Sequence, residues 1–257
     1  MKQTNPVTIF FVDRSIWSHL GWRDIQSRYS RTLLGPWWSA ANLSILVLGS
    51  SLAVGLLSNQ GMFSQAPRIA LGLSFWLLIS NILIESVDLF ESEKGILLNS
   101  SISEFTFIFR LVWRNFLVFL HSSLIVLAIF AFSREYWSFR LLAIYPLAII
   151  ACIGAVYPAF IVSRVIFYLR DLKVLIPSFV QLAFFVTPIL WVPQNSGPSE
   201  FVVAFNPVAW LIEFSRKLII DASLDYFLFS KILIFCVASI TALSLRANST
   251  RAIRKWL

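Results

Sequence analysis

The sequence predicts an all-α integral membrane protein, and three observations carry that prediction. Of 257 residues, 58% are hydrophobic and 13% are charged, where a soluble domain carries about 25% charged residues. So little polar surface cannot cover a globule in water, and so much apolar surface excludes a disordered chain. The apolar residues also fall in uncharged runs, the longest of them 32–67. Finally, the 24 Phe and 10 Trp suit lipid-facing and interfacial positions. A net charge of +8 could point to nucleic acid. No basic cluster is dense enough for a phosphate track, however, and cytoplasmic loops of membrane proteins are ordinarily rich in Lys and Arg. Nucleic acid is therefore not an expected partner.

Taken in order, residues 1–34 predict a cytoplasmic interface helix. Trp22, Ile25, Tyr29 and Leu33 recur at i, i+3, i+7 and i+11 on one face, with Arg23, Asp24, Arg28 and Arg31 opposite. Gly35-Pro36 then releases the chain into the first span. A spanning helix needs about 20 predominantly apolar residues, and six segments meet that need. They are 37–57, 69–84, 115–133, 141–163, 174–192 and 226–245. The second continues through Val87, Leu89 and Phe90 with carboxylates interleaved. The fifth contains Pro177 and Pro188, and the sixth carries Lys231 where it can snorkel.

Between spans five and six, the stretches 201–205 and 208–212 are each too short to cross a bilayer and are split by Asn206-Pro207. Their aromatics predict a re-entrant helical pair dipping from the outer face, with a plain extracytoplasmic loop as the alternative. The whole chain reads as one transmembrane domain, with 35–192 as spans one to five, 193–225 as the re-entrant segment, 226–246 as span six and 247–257 as a cytoplasmic tail. Six spans put both termini on one side. That side holds fifteen of the 21 Lys and Arg residues and is therefore cytoplasmic. The apolar run 7–12 is too short for a secretory signal and is closed by Asp13 and Arg14, so the start is expected to remain uncleaved.

Chemistry-bearing motifs are sparse. No P-loop, dinucleotide fingerprint, zinc-protease motif or nucleophile elbow occurs. Cys152 and Cys236 sit in apolar runs, and His19 and His121 share no motif, so neither disulfide nor metal is expected. Glu85, Asp88 and Glu91 line one face at i, i+3, i+6 near the end of span two. Anions at a helix C-terminus need compensation, which Arg23, Arg28, Arg31 or a cationic partner could supply; a proton relay is the alternative. In the link 92–104, Ile96, Leu97 and Leu98 predict a short helix that docks into a groove on a partner.

Four segments, in order, resemble the permease subunits of polysaccharide and O-antigen ABC exporters, of the type-2 ABC permease family. They are Arg28-Tyr29 with Leu33-Leu34-Gly35-Pro36-Trp37-Trp38; Phe109-Arg110-Leu111-Val112-Trp113-Arg114-Asn115 with Phe119-Leu120-His121; Arg170-Asp171-Leu172 before Thr187-Pro188-Ile189; and Asn206-Pro207 before Glu213 and Arg216. Ser122 departs from the Asn that often follows the His. The resemblance implies a channel-forming homodimer in the bacterial inner membrane, bound to two copies of a separate P-loop ATPase. ATP and Mg would sit on that partner, with no cofactor in this chain, and the cargo would be a lipid-linked glycan.

On that reading Arg28, Tyr29, Arg31, Gly35 and Trp37 form the substrate entrance, with the arginines on the pyrophosphate. Ile96, Leu97 and Leu98 couple to the ATPase. Phe201, Phe205, Asn206, Pro207, Trp210, Glu213 and Arg216 form the outer gate, the last two bracing one another at i, i+3. Two other functions remain open: a membrane-embedded glycan-processing enzyme using Glu85 and Asp88, and the same architecture exporting a small molecule.

Overall fold

The computed structural model describes residues 5–59, 61–100, 102–133, 136–193 and 198–247. Twelve α-helices account for most of them. These are α1 Pro6–Val12, α2 Arg14–Tyr29, α3 Trp37–Leu57, α4 Met62–Ser86, α5 Leu89–Ser92, α6 Lys94–Asn99, α7 Glu104–Phe132, α8 Ile144–Tyr168, α9 Leu175–Val186, α10 Pro198–Phe205, α11 Pro207–Ile219 and α12 Tyr226–Ala247. Among the described residues, five helices are long and apolar enough to cross a membrane: α3, α4, α7, α8 and α12. The tail beyond 247, and with it Arg251, Arg254 and Lys255, lies outside the described residues.

Helix α4 is the core of the bundle. Two thirds of its apolar window (67%) is buried, against 28% for α3 and 22% for α12. It packs on α3, α7, α8, α9 and α11. Small residues permit this: a Cβ built at Gly72 would lie 3.3 Å from the Ile189 side chain and 3.0 Å from Arg216 Nη2. Helix α8 meets α12 in the same way, with Gly154 against the Phe235 ring and Ser239 Oγ donating to the carbonyls of Ile153 and Gly154.

Helix α7 has 29 residues, which at 1.5 Å each rise about 44 Å, well beyond a hydrocarbon core of about 30 Å. It begins eleven positions before the uncharged run that marks span three. This extension carries Arg110 and Arg114, and α1 and α2 pack across it. We call this the near end of the bundle; α10 and α11 cover the far end.

Helix α2 forms where the amphipathic pattern predicts, but on a different face. Its buried residues are Trp17, Gly21 and Ile25, spaced i, i+4, i+8. Trp22 is exposed, and Leu33 lies beyond the helix, fully exposed. Gly21 sets the register, since a Cβ there would stand 2.9 Å from the Trp113 ring and 3.2 Å from the Arg110 carbonyl. Asp24 and Arg28, assigned to the polar face, turn toward the protein instead.

The segment predicted as span five is not one long helix. A 3₁₀ turn, Arg170–Lys173, leads into α9, which runs twelve residues and stops at Thr187 (φ −81°, ψ 136°). Pro188 is the cause, because it drives the preceding residue out of the helical region. Twelve helical residues rise about 18 Å, short of a full crossing. No α9 residue is buried.

Candidate functional site

At the near end, charges from four elements converge. Arg110 grips Asp24 with both arms of its fork, Nε to Oδ2 at 2.7 Å and Nη2 to Oδ1 at 2.6 Å, while Nη1 donates to Glu93 at 3.0 Å. One turn along α7, Arg114 reaches Asp24 at 3.2 Å and Glu85 at 2.6 Å. Asn115 Nδ2 and Arg28 Nη2 complete the shell of Glu85 at 2.7 and 2.6 Å. Burial alone would loosen Arg28's proton; the Glu85 carboxylate outweighs it, and the pKa ends above the ordinary arginine value. A polar recess of about 230 Å³ opens beside this network, between Glu85, Asp88, Glu93, Arg110 and Arg114.

The carboxylate row is thus divided between two sets of cations. Glu85 pairs with Arg28 of the N-terminal helix, as its position at a helix end suggests. Asp88 and Glu91 instead share Lys173 of the 3₁₀ turn. The hydrogen bond from Lys173 to Asp88 raises the lysine's pKa. Sequence reasoning missed Asp24, Glu93 and Lys173 in these roles. The available signal was Arg110 and Arg114 at i, i+4 on an apolar helix, two cations that require countercharges.

Of the entrance residues, Arg28 is engaged with Glu85, whereas Arg31 is exposed and makes no ion pair among the described residues. Tyr29 ends α2, half-buried. Gly35 takes φ +56° in the turn before α3 with nothing within 4 Å of its Cβ position, so its backbone conformation is what requires glycine there. Trp37 and Trp38 are half exposed, and Trp37 lies edge-on to His121 at 6.2 Å between ring centres.

The link after span two does form short helices, α5 and α6. Within α6, Ile96 is exposed (46%) but Leu97 is buried (6%); the aliphatic run does not face outward as a unit, because Leu97 turns into the bundle. The side chain of Leu98 lies outside the described residues.

At the far end, Asn206 breaks the chain between α10 and α11. Its Oδ1 caps α11 by accepting from Val208 N and Ala209 N, and Pro207 fills the first helical position. Its Nδ2 donates to Thr187 Oγ1 at 2.9 Å. Arg216 is 1% exposed. It donates to Glu213 at 2.7 Å, to the carbonyls of Pro188 and Ile189 at 2.5 and 2.7 Å, and to that of Arg68 at 3.3 Å. The expected i, i+3 brace is present, but it is one part of a larger knot. The carbonyls freed where α9 breaks are satisfied by the guanidinium of α11. Desolvation drives the Arg216 pKa down to about 10 even with Glu213 beside it.

The remaining gate residues sit outward. Phe201 and Phe205 are exposed (69% and 73%) with rings 4.9 Å apart, and Trp210 Nε1 donates to Val203 O at 2.8 Å. Lys231 stands over Phe227 at 4.3 Å and Trp210 at 5.5 Å. Among the described residues no group of three His, Cys, Asp or Glu gathers as a metal site. No family model and no curated protein matches the chain.

Proposed function

We propose that this chain is the channel-forming permease subunit of an ATP-driven exporter that moves a lipid-linked glycan across the bacterial inner membrane. It would work as a homodimer bound to two copies of a separate P-loop ATPase, with ATP and Mg on that partner. The observation that carries the reading is the broken segment 173–189, which contains α9. Lys173 at one end of it lies beside Asp88, and Ile189 at the other lies against the Arg68 carbonyl through Arg216. From Arg68 to Ser86, two residues before Asp88, α4 rises about 27 Å, close to a hydrocarbon thickness of about 30 Å. On this reading the segment 173–189 makes the sixth crossing, partly as irregular backbone. Irregular backbone at membrane depth is tolerated only within protein or along a water-filled path. A face with no buried residue, ending in such backbone, fits the wall of a channel formed with a second copy.

Six crossings place both termini together, in keeping with the contact of α1 with α12 and the hydrogen bond from Ser244 to Asn5, and the bias of Lys and Arg makes that side cytoplasmic. Arg31, with Trp37 and Trp38 beyond Gly35, then offers an exposed guanidinium followed by flat aromatic faces. That order suits a pyrophosphate followed by sugars. Helices α10 and α11 form the re-entrant outer gate, with Phe201 and Phe205 directed to a second copy. Helix α6 presents Ile96 to the ATPase. The enzyme reading is weaker, since Glu85 accepts from three donors and Asp88 is held by Lys173, leaving neither free as acid or base.

Depletion of the chain in its own cell tests the proposal. An exporter leaves finished glycan inside, protected from an externally added glycosidase until the membrane is permeabilised. Absence of any polymer would instead favour the enzyme. A P-loop ATPase should co-purify with the wild-type chain and be lost from Ile96→Asp.

A further inference from the structure

A recess of a different kind lies on the other side of α7. Helices α1, α2, α7, α8 and α12 enclose a cavity of about 430 Å³ with no charged residue in its lining. Phe10 and Trp17 of the N-terminal hairpin close it at one end, and Val112, Cys152, Val156 and Leu243 stand along its walls. The polar groups on these walls are turned away. Trp17 Nε1 donates to Phe10 O at 2.9 Å, and the Ser239 hydroxyl is occupied by the carbonyls of Ile153 and Gly154.

Protein interiors are close-packed, with few voids larger than a water molecule. Water gains no partners in an apolar hole and leaves it dry. This volume falls in the range of sites that hold a small organic ligand. One side of the cavity is open, since the lining residues Ile149 and Ile240 are 50% and 41% exposed. The opening continues into the outer face of α12 at Ile234 and Val237, both exposed. Helices α8 and α12 are membrane-length and apolar, so the medium at that opening is hydrocarbon.

We propose that the cavity is a binding site for one acyl chain of a bilayer phospholipid, which wedges the α1–α2 hairpin against α7. The chain enters from the bilayer past Ile149 of α8 and Ile240 of α12 and replaces the packing that the five helices leave unfilled. Because α2 carries Asp24 and Arg28, the lipid also holds the near-end ion-pair network in register. The site does not depend on the glycan reading; it requires only a bilayer around the spans.

The test reconstitutes the protein in nanodiscs of phosphatidylethanolamine and phosphatidylglycerol with a trace of phospholipid bearing a diazirine on its acyl chain. After illumination, peptide mass spectrometry should find adducts at Val112, Cys152 and Val156 about tenfold above those at the exposed Leu52 and Leu56 of α3. Val156→Trp fills the cavity and should remove them, while Ile234→Trp on the outer face should not. Adducts spread evenly over the exposed spans, or surviving in a monodisperse Val156→Trp protein, overturn the proposal. So does displacement of the phospholipid by an equimolar prenyl phosphate, which would make this a carrier-lipid site. Should Val156→Trp fail to fold, Cys236→Ser leaves Cys152 as the only thiol. Its alkylation should be faster in delipidated detergent micelles than in nanodiscs, and equal rates would overturn the proposal.

Discussion

The two ends of the bundle use the same residue types in opposite ways. At the near end, Arg28, Arg110 and Arg114 meet Asp24, Glu85 and Glu93, charge against charge, and most of these side chains keep 15–21% exposure, with Arg28 at 43%. At the far end, Arg216 keeps 1% and is satisfied by three backbone carbonyls and a single carboxylate. The difference follows from what each site must compensate. The near end neutralises side chains brought together by separate helices, close enough to the aqueous edge for water and salt to share the work. The far end repairs a break in the main chain, where the carbonyls of Pro188 and Ile189 have no helical partners and too little water is present to replace them. A guanidinium is the side chain best suited to that repair, because its five donors form a rigid fork.

Removing Arg216 should therefore have the largest effect. Arg216→Met keeps the aliphatic stem but leaves Glu213 with only the more distant Arg68, at 3.8 Å, and leaves two carbonyls unpaired, at a cost of about 3–5 kcal/mol. Thermal unfolding in detergent micelles measures it. Arg216→Lys should recover only part of the loss, since one ammonium cannot reach all its acceptors. An Arg216→Met protein as stable as wild type would mean that α9 and α11 are held together by packing alone.

The near-end network should respond less and differently. A double-mutant cycle on Glu85→Gln and Arg114→Ala should give a coupling of about 1–2 kcal/mol, the partial exposure discounting a charged hydrogen bond. That coupling should shrink as salt is raised, while the Arg216 deficit stays constant. If both respond equally to salt, the contrast between the ends is wrong.

Much of this was legible in the sequence, and the failures share a cause. The first span, 37–57, coincides with α3 because its signal is entirely local: a long uncharged run entered from Gly35-Pro36. The Asn206-Pro207 break and the Glu213–Arg216 pair were equally readable, since both are contacts within a few residues. The buried face of α2 was not. Trp22 belongs to the apolar stripe of the isolated helix, but the stripe that packs is chosen by the partner, and α7 accepts Gly21 against Trp113 where a larger residue would collide. Likewise, no local pattern in α11 says that Arg216 will meet carbonyls 27 and 28 residues earlier. The twelve-residue α9 was partly visible, because Pro188 was in view, but composition alone made 174–192 one span.

Gly21 gives the next prediction, smaller again. Gly21→Ala places a methyl 2.9 Å from the Trp113 ring and 3.2 Å from the Arg110 carbonyl, neither of which is a free side-chain end. Overpacking of this kind costs about 1–2 kcal/mol. It should also push Asp24 away from Arg110, so it should be non-additive with Asp24→Asn and additive with Arg216→Met. Non-additivity with Arg216 would show that the ends communicate through α7 and α4.

The smallest effect is expected at Asp225, which lies at the far end but is built like the near end. Lys217 Nζ donates to its Oδ2 at 2.6 Å and Leu228 N to its Oδ1 at 3.0 Å, so it pairs with one helix and caps another. The hydrogen bond from Lys217, and then that from Leu228, hold its carboxyl below the usual aspartate range. A depressed carboxylate stabilises the fold above its unfolded value, about 3.9, and that stabilisation is lost as pH falls through the lower folded value. Lys217 and Asp225 are 41% and 23% exposed, so the ion pair should be worth less than about 1 kcal/mol. Asp225→Asn keeps the cap and loses only the charge; Asp225→Ala loses both. At neutral pH, stability should rank wild type above Asn above Ala, whereas once pH falls below the lowered folded value of Asp225 wild type and Asn should converge. The part of the Arg216→Met deficit that comes from the Pro188 and Ile189 carbonyls should not move over the same interval, because neither the guanidinium nor the carbonyls titrate there. If wild type and Asn already coincide at neutral pH, Asp225 acts through its cap alone, and ion pairing at the far end is confined to the buried knot.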